Sequence, residues 1–260
     1  MGLGTRLACG YAVDVPDRSA CDCGCANVFS SREADNDLKR YRRQGADAST
    51  QALIDAIVAE GVDGATLLDI GAGIGAIQLG LLPAGLARAE SVDVTDAYVV
   101  VARDEAERQG FGDRVSGRVA DFVAVASEVA PADVVTLDKV LCCYPDMPAL
   151  LGRAADHARR LVGLVYPRQT WWTRAAARAL AVWGWLTRDP TRWYLHRTAD
   201  VDALFREAGF ERRDIRRELI WQVVLYAREP LTVQRPATVE VSPPRVGKKR
   251  GSAGSGPQTD

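Results

Sequence analysis

Three glycines at alternate positions, Gly71, Gly73 and Gly75, form a stretch in which the backbone rather than a side chain is open to a ligand. They follow a short apolar run at residues 65–70 and precede a helical pattern, and with Ala76 they satisfy G-x-G-x-x-G/A. Because glycine has no Cβ, the chain can turn sharply and a ligand can approach the unpaired N–H groups at the start of the helix. The loop therefore predicts a site for a cofactor that carries a nucleoside.

Two acidic residues end the next two strand-like runs. Asp93 follows Gly75 by 18 residues, and an acid there can accept hydrogen bonds from both ribose hydroxyls of a nucleoside. Asp121 can bond an adenine amino group, and the ring of Phe122 can pack on the base. Open α/β sheets bind ligands at the carboxyl ends of successive strands. The pattern predicts a pocket for an adenosine-bearing cofactor, and NAD is compatible with it.

Strand-like and helical patterns alternate through the region that must position these residues. The strand-like runs recur roughly every 25–30 residues with helices between them, which is typical of a parallel sheet covered on both faces. Two helices are predicted before the first strand, over residues 30–43, where Glu33 stands three residues after a capping serine, and over residues 49–60. After Pro167 the pattern changes, and residues 210–229 contain two strand-like runs that predict a final antiparallel pair.

The chain divides by composition into three parts. Residues 1–29 are irregular and contain clustered cysteines, residues 30–229 form one folded domain, and residues 230–260 have the composition of a disordered tail. The 260 residues carry a formal net charge of −1, so they lack the basic excess of a duplex-binding protein. We expect no nucleic-acid partner.

The cysteine pattern favours neither a metal site nor a disulfide framework. Cys21, Cys23 and Cys25 alternate, but a tetrahedral zinc site needs four ligands, and the obvious fourth is Cys9, with no histidine nearby. The sequence has no uninterrupted run of 18 apolar residues and no signal-peptide pattern, so neither a membrane span nor secretion is predicted. We expect a reduced, cytoplasmic protein without a bound metal.

Tryptophans and small apolar residues dominate residues 167–200, which are predicted to form a helical insertion. Arg174 and Arg178 are four residues apart and would lie on one face of a helix. Core packing or a lid over an apolar substrate is the favoured interpretation. A helix at a membrane surface is the alternative, because tryptophan suits the depth of the lipid headgroups. The tryptophans of the helix are Trp171, Trp172, Trp183 and Trp185.

The ordered motifs resemble those of the class I S-adenosylmethionine-dependent methyltransferases. "LLDIGAGIGA" looks like the first motif of that family, with Asp69 as the acid two residues before the first glycine, and the next three motifs resemble "SVDVTD", "VADF" and "ADVVTLDKVLCCYPD". The resemblance extends over residues 40–228, and "DKVLCCYPD" with "LKRYRRQG" is similar to a bacterial subgroup associated with small-molecule methyl transfer. It implies an α/β, Rossmann-like, doubly wound and mostly parallel seven-stranded sheet with an antiparallel C-terminal strand pair. It also implies S-adenosyl-L-methionine as the cofactor.

Carried over residue by residue, the resemblance implies a set of cofactor-binding positions. Asp69 orients the glycine loop and faces the methionine amino group, while Asp138 and Lys139 end the fourth strand beside the methionine part and the substrate. Tyr41 and its neighbouring arginines cover the cofactor from the N-terminal side, although a solvated basic helix face explains the same residues. The whole set is Tyr41, Asp69, Gly71, Gly73, Gly75, Asp93, Asp121, Phe122, Asp138 and Lys139.

Candidates for a general base are few. The substrate heteroatom attacks the methyl carbon of a sulfonium in line, and a hydroxyl acceptor needs a base more often than a thiolate does. His196 lies in the insertion and Tyr144 follows the fourth strand, and either can equally be a packing residue. The expected function is methyl transfer to a small, apolar or aromatic molecule. The alternatives are an NAD-dependent oxidoreductase, against which Asp69 and the late antiparallel strands argue, and a non-catalytic cofactor-binding regulatory module.

Overall fold

The computed structural model describes residues 30–187 and 193–228. The predicted irregular segment 1–29, with Cys9, Cys21, Cys23 and Cys25, and the predicted disordered tail 230–260 lie outside these residues. Within the described ranges, no helix has the length and apolar character needed to cross a bilayer.

Eight α-helices occur in the described part of the chain. The first begins with a capping box, in which the main-chain N–H of Ser30 donates to the Glu33 carboxylate at 2.7 Å. The two helices predicted at residues 30–43 and 49–60 are confirmed to within one residue at each end. The helices are α1 (Ser31–Gln44), α2 (Ala48–Ala59), α3 (Ala76–Leu81), α4 (Asp96–Arg108), α5 (Phe122–Val125), α6 (Met147–His157), α7 (Trp171–Thr187) and α8 (Thr198–Glu207).

One mixed sheet contains the strands β1 (Thr66–Ile70), β2 (Arg88–Asp93), β3 (Val115–Val119), β4 (Ala132–Asp138), β5 (Ala158–Pro167), β6 (Phe210–Arg217) and β7 (Trp221–Arg228). Their spatial order is β3-β2-β1-β4-β5-β7-β6. The first five strands run parallel to one another, and β7 pairs antiparallel with both β5 and β6. The predicted Rossmann-like, mostly parallel seven-stranded sheet with an antiparallel C-terminal pair is confirmed.

The sheet buries apolar residues on both of its faces. Successive residues of a strand point to opposite sides, so Val134 of β4 packs with α2 and α3, whereas Val135 packs with α5, α6 and α8. An added Cβ at Gly163 of β5 would lie 2.7 Å from Cδ1 of Leu53, so the missing side chain lets α2 approach the sheet closely. Helices therefore cover both faces, as the alternation of patterns predicts.

The carboxyl ends of β1, β2 and β4 lie side by side at one edge of the sheet. Asp69 of β1 is in register with Ser91 of β2 and with Thr136 of β4. Asp93 and Asp138 are the last residues of β2 and β4. Three carboxyl groups that are far apart in the sequence are thereby brought to one edge, next to the glycine loop.

Candidate functional site

A cavity of about 330 Å³ opens at this edge of the sheet. It lies between the loop that joins β1 to α3, the ends of β2 and β4, and the N-terminal helix α1. Nine of the ten predicted cofactor-binding residues line the cavity, and Gly75 does not. The nine are Tyr41, Asp69, Gly71, Gly73, Asp93, Asp121, Phe122, Asp138 and Lys139.

The loop after β1 forms one wall of the cavity from backbone. Gly71 and Gly73 have φ values of +65° and +54°, in the left-handed region that favours glycine. An added Cβ at Gly73 would meet no atom within 4 Å, so the space beside this residue is open. Gly75 instead stands at the N-terminus of α3, where an added Cβ would run into the side chain of Gln78. Two of the three glycines of the fingerprint therefore face the cavity.

Asp69 is a buried carboxyl group with one oxygen that lacks a partner. Its Oδ1 accepts a hydrogen bond from the Thr136 hydroxyl at 2.7 Å, whereas no described residue bonds to Oδ2. Burial, reinforced by the charges of Asp138 and Asp93, raises the pKa of Asp69 to about 7 in spite of the Thr136 bond. A cationic N–H donor in the cavity would satisfy Oδ2 and would favour the ionised form.

Asp93 connects the end of β2 to the glycine loop. Its Oδ2 accepts from the main-chain N–H of Gly73 at 3.0 Å, and its Oδ1 accepts from that of Thr95 at 2.9 Å. Burial raises the pKa of Asp93, and these backbone hydrogen bonds oppose the rise. Each carboxylate oxygen has lone-pair sites for a further donor. Asp93 can therefore hold a hydroxyl group in the cavity while it holds the loop.

Asp121 and Phe122 line the cavity at the start of α5. Asp121 Oδ1 accepts from the main-chain N–H of Val123 at 3.0 Å, and the Tyr144 hydroxyl lies 3.2 Å from both carboxylate oxygens. The Phe122 ring packs edge-on against His157, with ring centroids 5.3 Å apart. His157 is thus a packing residue beneath the site, and Phe122 offers an apolar surface to the cavity.

Lys139 has a φ of +61°, the only positive value among the described non-glycine residues. Its ammonium group pairs with Asp138 at 3.1 Å and with Asp47 at 2.8 Å, and it donates to the Thr50 hydroxyl at 3.0 Å. Burial alone would lower the pKa of Lys139, but the charges of Asp138 and Asp47 outweigh it, so the pKa is raised. A strained residue that surrounding groups hold in place is typical of a functional position.

Asp138 shares a hydrogen-bonded cluster with this ammonium group. Burial raises the pKa of Asp138, while the Lys139 charge and a 2.5 Å hydrogen bond from Thr50 oppose the rise. Asp47 behaves in the opposite way: hydrogen bonds from Lys139 and Ser49 outweigh its burial, and they hold the pKa of Asp47 at about 2. The cluster presents one cation and two carboxyl groups at the end of β4.

Helix α1 covers the cavity through Asp37, Arg40 and Tyr41. The Tyr98 hydroxyl of α4 donates to Asp37 Oδ2 at 2.7 Å, which ties the middle of α1 to α4. The predicted placement of Tyr41 at the N-terminal side of the site therefore has a structural basis, because its helix is held against the next layer of the fold.

A second contact between α1 and α4 is built around Glu105. The Glu105 side chain is completely buried and accepts from Arg42 of α1 at 2.7 Å and 2.9 Å. Arg108 and Gln109 also donate to it. These donors, Arg108 foremost, outweigh burial and lower the pKa of Glu105 to about 2. We call this cluster of Arg42, Glu105, Arg108 and Gln109 the α1 latch.

The two candidates for a general base occupy different places. Tyr144 lines the cavity, with its hydroxyl next to Asp121. His196 does not line the cavity: its Nε2 lies 2.9 Å from the carbonyl oxygen of Leu141, and its ring stacks on Tyr194. Burial lowers the pKa of His196.

Several residues of the cavity wall are absent from the predicted set. Asp47 precedes a helix in the sequence and is recognisable as an N-cap, but its contact with Lys139, 92 residues away, depends on the fold. The other lining side chains with a polar atom that the prediction missed are Asp37, Thr50, Tyr98 and Cys143.

The tryptophan-rich segment forms α7, and no described residue between 168 and 197 lines the cavity. Trp171 is 82% exposed and Trp183 is 65% exposed, so the interpretation of these two as core residues is wrong. Only the first turn of α7 contacts the domain closely: Thr173 is buried there, and the side chains described after it in the helix are exposed or partly exposed.

Comparison with known proteins yields one family and a fold. A family model described as a methyltransferase domain matches residues 38–214, more than half of the chain. No curated protein matches the sequence.

Solved structures share the fold at low sequence identity. Magnesium protoporphyrin IX methyltransferase from Synechocystis PCC 6803, with bound S-adenosylhomocysteine, is 21% identical, with a TM-score of 0.60 over 80% of this chain and 100% of that one. An O-methyltransferase family protein from Burkholderia thailandensis is 19% identical, with a TM-score of 0.60 over 77% of this chain and 61% of that one. The pyocyanin biosynthetic protein PhzM is 21% identical, with a TM-score of 0.52 over 74% of this chain and 59% of that one.

Proposed function

The chain belongs to the family of methyltransferase domains, and from that premise we propose that it transfers the methyl group of S-adenosylmethionine to a small, apolar or aromatic molecule. The observation that carries the proposal is the buried, unpartnered Oδ2 of Asp69 in a cavity that is also lined by Gly71, Gly73 and Asp93. The methionine end of the cofactor carries an ammonium group, which is the kind of donor that this oxygen lacks.

The residues of the cavity fit the parts of this cofactor. Asp69 would hold the ammonium group, and the open space beside Gly73 would let the cofactor pass close to the backbone. Asp93 would accept hydrogen bonds from the ribose. Asp121 would bond the adenine amino group, Phe122 would pack on the ring, and Gly75 would act indirectly by shaping the loop.

When bound, the cofactor supplies a methyl carbon on a positively charged sulfur, which is a good leaving group. The protein must then orient the acceptor and exclude water, and such positioning lowers a barrier by up to about 7–11 kcal/mol. Lys139 and Asp138 stand at the end of β4, where they can orient a polar group of the acceptor. Of the two predicted base candidates Tyr144 lines the cavity, and its hydroxyl lies next to Asp121, at the end that would hold the adenine.

Two observations support a small acceptor with apolar character. The cavity wall includes the apolar side chains of Ile74, Val140 and Leu150 in addition to the charged cluster at β4. Among the proteins of similar fold, one is a methyltransferase of magnesium protoporphyrin IX, and another is a protein of pyocyanin biosynthesis.

Calorimetric titration of the full chain with S-adenosylmethionine, S-adenosylhomocysteine and NAD tests the cofactor, and turnover on a panel of phenols, thiols and amines tests the acceptor. We expect the first two ligands to bind, NAD not to bind, and Asp93→Ala to weaken binding at least tenfold, about 1.4 kcal/mol. Asp96→Ala, an exposed acid three residues further on, is the matched control and should bind normally. Tight binding of NAD, or unchanged affinity in Asp93→Ala, would refute the assignment.

A further inference from the structure

Helix α7 carries large apolar side chains into solvent. Leu186 is 64% exposed, in addition to the two exposed tryptophans, and Leu180 and Val182 are more than half exposed. At the base of the helix, the Thr173 hydroxyl donates to the carbonyl oxygen of Arg168 at 2.7 Å, which anchors the first turn to the domain. An isolated helix of this length is only marginally stable in water, so α7 needs a partner surface for its apolar side.

Three exposed apolar residues of α7 lie on the side of the helix opposite its two arginines, whereas Trp171 and Val182 lie on the arginine side, where a tryptophan suits headgroup depth. Leu180, Trp183 and Leu186 recur every three residues and share one side of the helix. Arg174 is nine residues from Trp183, which at 3.6 residues per turn places it on the opposite side, and Arg178 lies beside it. This is the pattern of a helix that lies in the plane of an interface, with an apolar side down and cations above.

The turn between β6 and β7 adds a second exposed apolar element next to the base of α7. The main-chain N–H of Arg168 donates to the Ile220 carbonyl at 2.7 Å, and its guanidinium donates to that of Glu218 at 2.6 Å. Leu219 in this turn is 75% exposed, and Ile220 is also exposed. We call α7 together with residues 218–220 the α7 surface.

The α7 surface lies at the edge of the sheet where the cavity opens. Trp221 begins β7 opposite Pro167, the last residue of β5. The Lys139 ammonium lies 5.6 Å from the centre of the Trp221 ring, and Lys139 lines the cavity. The base of the α7 surface is therefore next to the cavity.

The charge of the α7 surface favours anionic lipids over a second copy of the chain as its partner. Helix α7 contains Arg174 and Arg178 and no acidic residue. The β6–β7 turn contributes the single acid Glu218 and follows two exposed arginines, Arg217 and Arg216, of which Arg216 pairs with Asp214 at 3.1 Å. Two copies joined by their apolar sides would leave the arginines of both facing water, whereas anionic lipid headgroups attract them.

We propose that the α7 surface docks on a lipid bilayer that contains anionic lipids, with Trp183, Leu180 and Leu186 among the acyl chains and Arg174 and Arg178 among the headgroups. Burial of the apolar side chains supplies the attraction that an aqueous surface cannot, and the arginines make it dependent on lipid charge and on salt. The docking itself does not depend on methyl transfer.

Flotation of the full chain with vesicles tests the proposal, with pure phosphatidylcholine and a phosphatidylcholine–phosphatidylglycerol mixture as the two surfaces. We expect the chain to float with the mixture, less so with pure phosphatidylcholine, and less as salt rises. Trp183→Ser combined with Leu186→Ser should reduce binding at least tenfold, and Arg174→Glu combined with Arg178→Glu should abolish the preference for the anionic mixture. Val119 is an exposed apolar residue of β3, the outermost strand on the side of the sheet opposite β6. Val119→Ser is therefore the matched control and should float like the wild type.

All the substituted side chains are exposed, so the variants should keep the wild-type circular dichroism spectrum and melting temperature. Absence of flotation with the anionic mixture, equal flotation with both vesicles, or unchanged flotation of the Trp183→Ser/Leu186→Ser variant would each overturn the proposal. A dimer in analytical ultracentrifugation that this variant dissociates, without vesicle binding by the wild type, would identify a second copy of the chain as the partner instead.

Discussion

At the scale of single residues, the burial of Asp69 and its role in binding a cation favour opposite protonation states. The fold buries its carboxyl group and leaves Oδ2 without a partner, which disfavours the charged form and raises the pKa to about 7. A cationic ligand would favour the charged form. The residue therefore destabilises the ligand-free protein at a pH where it would serve binding, a conflict that is common at functional sites.

Replacement of this carboxyl by an amide separates the two effects. Because the folded-state pKa of Asp69 lies above the ordinary value of 3.8, the wild type loses stability as pH rises from about 4 through 7. We expect Asp69→Asn to raise the free energy of unfolding at pH 8 by about 1–3 kcal/mol, with little gain near pH 4. Affinity for S-adenosylhomocysteine should fall at least tenfold.

Urea denaturation at both pH values and calorimetry at pH 8 measure these effects. Asp156→Asn, on the exposed side of α6, is the control and should change neither quantity. A loss of stability at pH 8 in Asp69→Asn would mean that the ionised carboxyl is already satisfied in the ligand-free protein.

Residue types and spacing predict much of this site, and the limits have physical causes. Gly71, Gly73, Asp93, Asp121 and Phe122, which the residue pattern predicts, line the cavity because a strand–glycine–helix unit and acids at strand ends converge in a sheet of this topology. The other four lining positions, Tyr41, Asp69, Asp138 and Lys139, are implied by the family resemblance. Gly75 does not line the cavity, because the fingerprint does not distinguish a glycine that faces a ligand from one that makes room for Gln78. The Asp47–Lys139 contact joins residues 92 apart, which no local pattern encodes.

At the scale of secondary structure, α1 is a cover whose position depends on the α1 latch. The buried Glu105 carboxylate binds Arg42 of α1 and Arg108 of its own helix, and Tyr98 adds a separate tie to Asp37. The helix that carries Tyr41 is thus held over the cavity by charged hydrogen bonds, which are stronger than neutral ones. Loosening them should affect how long the cofactor stays bound.

Glu105→Gln tests the latch by leaving two arginines beside a neutral amide. We expect the dissociation rate of S-adenosylhomocysteine to rise about three- to tenfold, since the loss of one charge-assisted contact costs about 1 kcal/mol or more at the cover. Global stability should fall by about 1–3 kcal/mol. Stopped-flow displacement measures the rate, and urea denaturation measures the stability.

Glu107→Gln is the control for this experiment, because Glu107 is on the same helix, is 61% exposed and pairs with Arg103 at only 3.8 Å. An unchanged dissociation rate in Glu105→Gln, accompanied by the expected loss of stability, would show that the latch supports the fold but not the cover.

The helices α1 and α7 differ in how far the sequence predicts them. The capping box at Ser30 marks the start of α1, because its hydrogen bonds are local. The exposure of α7 is not predictable in the same way, because tryptophan is highly buried on average, whereas Trp171 and Trp183 of this helix are exposed.

At the scale of the whole molecule, the order of the strands gathers the chemistry at one edge. β1 lies between β2 and β4, so Asp69, Asp93 and Asp138 meet although they are distant in sequence. Each of the three has a pKa raised by burial. Their mutual repulsion is part of the cost of the ligand-free state, and a cation in the cavity relieves it.

Ligand binding should therefore be coupled to the loss of a proton from Asp69. Below pH 7, Asp69 must lose a proton before it can face an ammonium group, so affinity for S-adenosylhomocysteine should fall about tenfold per pH unit below 7 and level off above it. At a ligand concentration 100 times the dissociation constant at pH 8, the bound ligand should stabilise the fold by about 2.7 kcal/mol, and at pH 6 the same concentration should give about 1.4 kcal/mol.

Calorimetry in two buffers of different ionisation enthalpy should detect the release of one proton at pH 6 and none at pH 8. Asp69→Asn should flatten the pH profile, and a flat profile in the wild type would show that another group holds the ligand's ammonium.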